Sequence, residues 1–206
     1  MIVLAHITSL LSIFPIIVAL RYYQDLRIID SKVFFFFLLG TCLIDLLGLG
    51  LSILSINNHF CYNIFLIWIG LYNVWLGYML KSRILTSFSL YITLFCVWGI
   101  TMQLDNFNKL LFIFTLLNLG TYSVLLLFRL TDISINPLKS SKFWAYSSLS
   151  FFAFSTFSMF VFIDYIVENR SVMILNFYTV YNFIVTLIVN ILFSISFICL
   201  KKEKIS

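Results

Sequence analysis

A single carboxylate, Asp45, stands near the middle of a long apolar run, within the segment Gly-Thr-Cys-Leu-Ile-Asp-Leu-Leu-Gly-Leu-Gly at 40–50. An aspartate at the centre of a membrane helix costs roughly 2.5–3.5 kcal/mol on insertion scales, so such a residue is a candidate for function by default. Three amides, Asn73, Asn118 and Asn182, fall at a similar depth in other apolar runs. Four polar groups at one depth can converge on a single inner site. Tyr178, Asn182, Thr186 and Asn190 recur every four residues, which sets them along one slowly drifting face of a helix. That face must turn inward, because lipid supplies no hydrogen-bond partner. The chemistry this set suits is recognition of a small or lipidic ligand, with Asp45, Asn73, Asn118, Asn182, Thr186 and Asn190 as the ligand-binding residues. The competing reading is helix glue, since Asn, Ser and Thr commonly build interhelical hydrogen bonds worth about 0.6 kcal/mol on average.

Catalysis and metal chemistry find less support. A lipid-modifying enzyme using Asp45 as acid or base would need a second group, and none is identifiable. The chain has no H-E-x-x-H, no G-x-S-x-G and no Gly-rich phosphate loop, and of its two histidines His6 lies near the outer end of the first apolar run and His59 in the second connection. There they suit incidental interfacial positions or, less simply, pH sensing. No lysine occurs in the last apolar run to form a retinal Schiff base. Cys42, Cys61, Cys96 and Cys199 show neither C-x-x-C spacing nor neighbouring histidines, which points to plain packing. No catalytic residue, no metal site and no cofactor is expected.

The elements that must hold these residues are membrane helices. Of 206 residues, 62% are hydrophobic and 10% charged, against about 45–50% and about 25% in an ordinary soluble domain. With a mean hydropathy of +1.08, most of the surface must face hydrocarbon. Crossing about 30 Å of bilayer takes about 20 residues of helix. Seven runs qualify, at 2–20, 33–56, 62–80, 84–102, 110–129, 143–163 and 172–199, joined by short polar segments. Residues 1–206 therefore read as one all-α transmembrane domain, a seven-helix bundle. The first run has no positive leader and no A-x-A cleavage site, so it reads as a retained helix rather than a signal peptide.

Orientation follows from the basic residues, because positive loops stay in the cytoplasm. Arg21, Arg27, Lys32, Lys81, Arg83, Arg129, Lys139, Lys142, Lys201, Lys202 and Lys204 fall in alternate connections and the tail, leaving only Lys109 and Arg170 of thirteen Lys and Arg for the other side. The expected topology puts the N-terminus outside and the C-terminus in the cytoplasm. The net charge of +5 never gathers into a basic run, so no nucleic-acid partner is expected.

Several smaller expectations complete the reading. Tyr22, Tyr23, Trp144 and Tyr165 stand at run ends as interfacial anchors. Phe34 to Phe37 read as lipid-facing bulk. Gly70 and Gly77, seven apart, suggest a close helix contact, and the hydroxyls of 146–158 can bond their own backbone. Tyr72-Asn73 and Tyr181-Asn182 fall where a three-plus-one-plus-three repeat would equate two helices, the plan of small seven-helix sugar transporters. Transport of a small solute is therefore the alternative to a non-enzymatic sensor or binding module, whose output would pass through a membrane signalling partner.

Read end to end, the chain resembles a group of small seven-helix membrane proteins common in Bacteroidetes, including flavobacteria. The resemblance is carried by Arg21-Tyr22 closing the first helix, by Asn136-Pro137-Leu138 with Phe143-Trp144 entering the sixth, and by the run from Asn190 to Cys199. It implies a bacterial inner-membrane location and brings no established activity. Some members of the group carry Glu in the middle helices and His in the last near the positions of Asn73 and Asn182, where this chain has amides.

Overall fold

The computed structural model describes residues 2–22, 29–56, 58–102, 109–133, 136–162 and 172–203. Tyr23, Arg27, Tyr165, Arg170 and Lys204 lie outside the described residues, as do the side chains of His59, Lys201 and Lys202. The described chain is helical throughout, with no strand: α1 Ile2–Leu11, α2 Ile13–Arg21, α3 Ile29–Ile53, α4 His59–Met79, α5 Arg83–Met102, α6 Lys109–Ile133, α7 Ser141–Val161 and α8 Val172–Glu203, plus a 3-10 turn at Pro137–Lys139.

Each apolar run forms helix, but the first is not continuous. The expected span 2–20 is broken at Ser12 into α1 and α2. Pro15 is the cause: it has no N–H to offer the Leu11 carbonyl four residues back, and its ring crowds that carbonyl. The Ser12 hydroxyl turns back to the Ser9 carbonyl at 2.7 Å.

Among the described residues four helices are long and apolar enough to cross a membrane, over Asp30–Ile53, Phe60–Met79, Lys109–Asp132 and Asn176–Leu200. His6–Arg21 and Arg83–Gly99 are apolar but shorter. α7 has the length, but its many hydroxyls dilute its apolarity. Those hydroxyls are satisfied at home: Ser148, Ser150 and Ser158 donate to carbonyls three or four residues back at 2.8–2.9 Å.

The helices close a ring. α1 and α2 lie between α3 and α8, α8 packs on α7, α7 on α6, α6 on α4, and α4 on α3. α5 stands outside the ring against α4 and α6. Its outer face is apolar, with Ile84 81% and Tyr91 75% exposed. Ile17, Leu43, Leu71, Phe114 and Phe177 are likewise exposed on other helices. A surface that presents large apolar side chains on nearly every helix suits lipid far better than water.

Close contacts in lipid come from small residues and van der Waals packing. Gly70 and Gly77 do provide such a contact, between α4 and α5. A Cβ on Gly70 would stand 2.7 Å from Thr93 Oγ1, and one on Gly77 would stand 3.0 Å from the Thr86 backbone. The chain reverses between these helices in three residues. Lys81 takes a left-handed φ of 51°, uncommon outside glycine, and the Ser82 hydroxyl accepts from the Leu85 N–H at 3.3 Å to start α5.

The phenylalanine run departs from expectation. Phe34, Phe35 and Phe37 are buried, and Phe36 alone of the four faces outward. Phe34 packs edge-on to Phe193 and stacks on Phe197, while Phe37 stacks on Tyr72 with ring centroids 4.1 Å apart. The run is a core seam joining α3 to α8 and α4, because a helix that presents four successive apolar residues must turn most of them away from any one direction. The four cysteines are buried, each on a different helix.

Candidate functional site

The ring encloses a cavity of about 630 Å³, lined by every helix except α5. It occupies the half of the bundle formed by α1, the end of α3, the starts of α4 and α8 and the end of α7. Asp45 fronts it from α3, with the Ser12 hydroxyl beside the carboxylate. Tyr178, Asn182, Thr186 and Asn190 line the facing wall from α8. The four-residue ladder on α8 thus turns inward, interleaved with Val185, Val189 and Phe193. His6 enters from α1, and Thr41, Tyr62 and Thr156 add polar atoms from α3, α4 and α7. Much of the remaining wall is aromatic: Phe37, Phe65, Phe112, Phe152 and Phe160.

The ring's other half is packed shut. Phe37 and Phe193 line the cavity, and Phe34 and Tyr72, which pack on them, together with Phe197, which stacks on Phe34, line a void of only about 20 Å³ below. Beneath that aromatic layer Lys142 Nζ donates to Asp30 Oδ2 at 2.6 Å, tying the start of α7 to the start of α3. Ser196 donates to the Ser141 carbonyl at 2.9 Å, bringing the end of α8 to the same place. By chain direction, Arg21, Lys32, Lys81, Arg83, Arg129, Lys139 and Lys142 all stand at this closed end, and Lys109 at the other. The cavity therefore lies toward the end away from most of the described basic residues.

Of the residues expected to converge, the structure brings together Asp45, Asn182, Thr186 and Asn190. It does not bring Asn73 or Asn118 to the cavity. Asn73 is buried in the α4–α6 seam, where its Nδ2 donates to the Thr115 carbonyl at 2.9 Å while its Oδ1 has no partner. The Asn118 Nδ2 is buried without a partner as well. Counting from run ends misjudged the level as well as the rotation: Asn73 follows Tyr72, which stacks on Phe37, about two turns of α3 before Asp45, and its amide turns to α6. An interhelical hydrogen bond of this kind is worth about 0.6 kcal/mol, and replacing Asn73 also removes an orphaned acceptor. Asn73→Leu is accordingly expected to shift the thermal midpoint in detergent by no more than ~2 °C and to leave occupancy of the cavity unchanged.

Ser12, Thr41, Tyr62 and the Asp30–Lys142 pair were not singled out from sequence. Ser12 and Thr41 are short hydroxyls near the depth of Asp45, a signal that was available. The ion pair joins residues 112 apart in the chain, and only the ring order puts them side by side. Among the described residues no group of His, Cys, Asp and Glu is arranged to hold a metal ion. Comparison with protein-family models, with curated proteins and with solved structures finds no match.

Proposed function

We propose that this chain is a seven-span protein of the bacterial inner membrane, N-terminus outside and C-terminus cytoplasmic, that binds a small or lipidic ligand in its central cavity as a non-enzymatic sensor or binding module. The observation that carries this reading is the cavity itself. A void of about 630 Å³ is in the range of ligand pockets, about 300–1,000 Å³. Its mix of aromatic wall and a few placed polar groups is the usual composition of such a pocket. A bundle selected only for packing would have closed it, as the opposite half is closed. The alternation of basic residues along the chain and their crowding at one end of the bundle support the topology. The resemblance to the Bacteroidetes group supports the location. The closed end, with its basic loops and ion pair, is where a signalling partner would read a change in helix position.

The test is native mass spectrometry of protein purified in mild detergent, beside Asp45→Ala. A bound species present in the wild type and lost in the variant is the expected result; an empty protein indistinguishable from the variant would sink the proposal. A second reading, transport of a small solute, draws on the aromatic layer and the Asp30–Lys142 pair, which close one side of a site open toward the other. It requires flux in proteoliposomes, whereas a sensor requires none.

A further inference from the structure

From the charge and chemistry of the cavity wall we infer that its ligand is a monocationic amphiphile, an organic ammonium group carried on an apolar body. This rests on the binding reading above and names the class of ligand it takes. Asp45 is the one carboxylate among the described lining residues, and no lysine or arginine lines the cavity with it. His6, Cys61, Tyr62 and Tyr178 complete the set of titratable groups facing the void. An anionic ligand would meet Asp45 with no lysine or arginine to offset the repulsion. A neutral ligand would leave an ionised Asp45 without a counter-charge, and the ionised form of a carboxylate away from water is favoured where an opposite charge pairs with it. A single ammonium satisfies it.

The rest of the wall agrees. Phe37, Phe65, Phe152 and Phe160 present ring surface from three helices, and aromatic faces attract a cation as well as an apolar chain. Asn182, Thr186 and Asn190 supply side-chain oxygens that can accept from further N–H donors of the same group. The ammonium could come from a free amine or from an aminolipid headgroup, since the chemistry at Asp45 is shared.

The experiment compares 4-phenylbutylamine with its neutral counterpart, 4-phenylbutanol, by ligand-observed NMR on the full chain in detergent. Phosphatidylethanolamine is added in a separate arm followed by native mass spectrometry. The amine is expected to bind about ten-fold or more tighter than the alcohol, equivalent to about 1.4 kcal/mol, and Asp45→Asn is expected to erase the difference. Thr186→Lys, which sets a fixed cation in the same cavity, should exclude the amine while the alcohol still binds, and so keeps the inference testable if Asp45→Asn fails to fold. Retention of phosphatidylethanolamine that depends on Asp45 would support the inference with a lipid as the source. Equal binding of amine and alcohol, unchanged by either variant, would overturn it while leaving the cavity a binding site. If no probe binds and nothing co-purifies, both readings fall.

Discussion

Gly40→Ala will lower the thermal midpoint of the protein by several degrees, although it adds one methyl group to a helix that alanine ordinarily favours. A Cβ at this position would stand 2.4 Å from Cε2 and Cζ2 of Trp68 and 2.7 Å from its Nε1. The indole cannot simply swing aside, because Nε1 donates to the Phe37 carbonyl at 2.9 Å, one turn back on α3 from Gly40. Either that bond breaks or α3 and α4 separate. Overpacking of this kind costs about 1–3 kcal/mol, and a protein of this size loses about 2–4 °C for each kcal/mol. Gly50 is the internal control, since a Cβ there meets nothing within 4 Å, and Gly50→Ala should be silent or slightly stabilising. The strain assigned to Gly40 has a named partner, so Trp68→Leu in the Gly40→Ala background should recover part of the loss. The coupling is expected at about 1 kcal/mol or more for residues in direct contact. A wild-type midpoint for Gly40→Ala, or no recovery in the double variant, would show that this contact is not what holds α3 to α4.

That contact also marks the boundary of what could be read beforehand. Hydropathy located seven helical segments to within a few residues because each is a long apolar run, and length is a property of the run alone. The ladder on α8 was legible because polar residues every four positions define a face, and a polar face in an apolar helix has one tolerable direction. Where periodicity is absent, direction is absent too. Phe34 to Phe37 give no clue to which of them faces the core, and it took the neighbours on α4 and α8 to decide. Asn73 differs from Asp45 in level as well as azimuth, lying beside Tyr72 at the height of Phe37 and bonded to α6, and one residue on a helix discloses neither. Pro15 was visible as a residue, yet its effect on a membrane helix depends on whether neighbours re-satisfy the Leu11 carbonyl. Gly40 is one of seven glycines, and nothing local distinguishes it from Gly50. Long-range partners are what separate the two.

The two halves of the ring are built on opposite principles, and the second large effect follows from that contrast. Around Phe34, Phe37, Tyr72, Phe193 and Phe197 the interior is filled with stacked rings, and below them polar groups meet one another. Around Asp45 the interior is hollow, and the carboxylate has a serine beside it but no lysine or arginine among the described lining residues. A residue kept for stability would sit in the filled half. Asp45→Leu is therefore expected to raise the thermal midpoint, because it removes a group whose placement in a membrane helix costs up to about 3 kcal/mol and turns an apolar side chain into a largely aromatic cavity. The same substitution should abolish occupancy of the cavity. Gain of stability with loss of binding is the signature of a site maintained at the expense of the fold. Thermal unfolding and native mass spectrometry on one preparation read both quantities. A fall in the midpoint of Asp45→Leu would mean that the carboxylate is holding helices together through Ser12 and its neighbours, and the cavity would then have to bind, if it binds at all, without the charge that sets its chemistry.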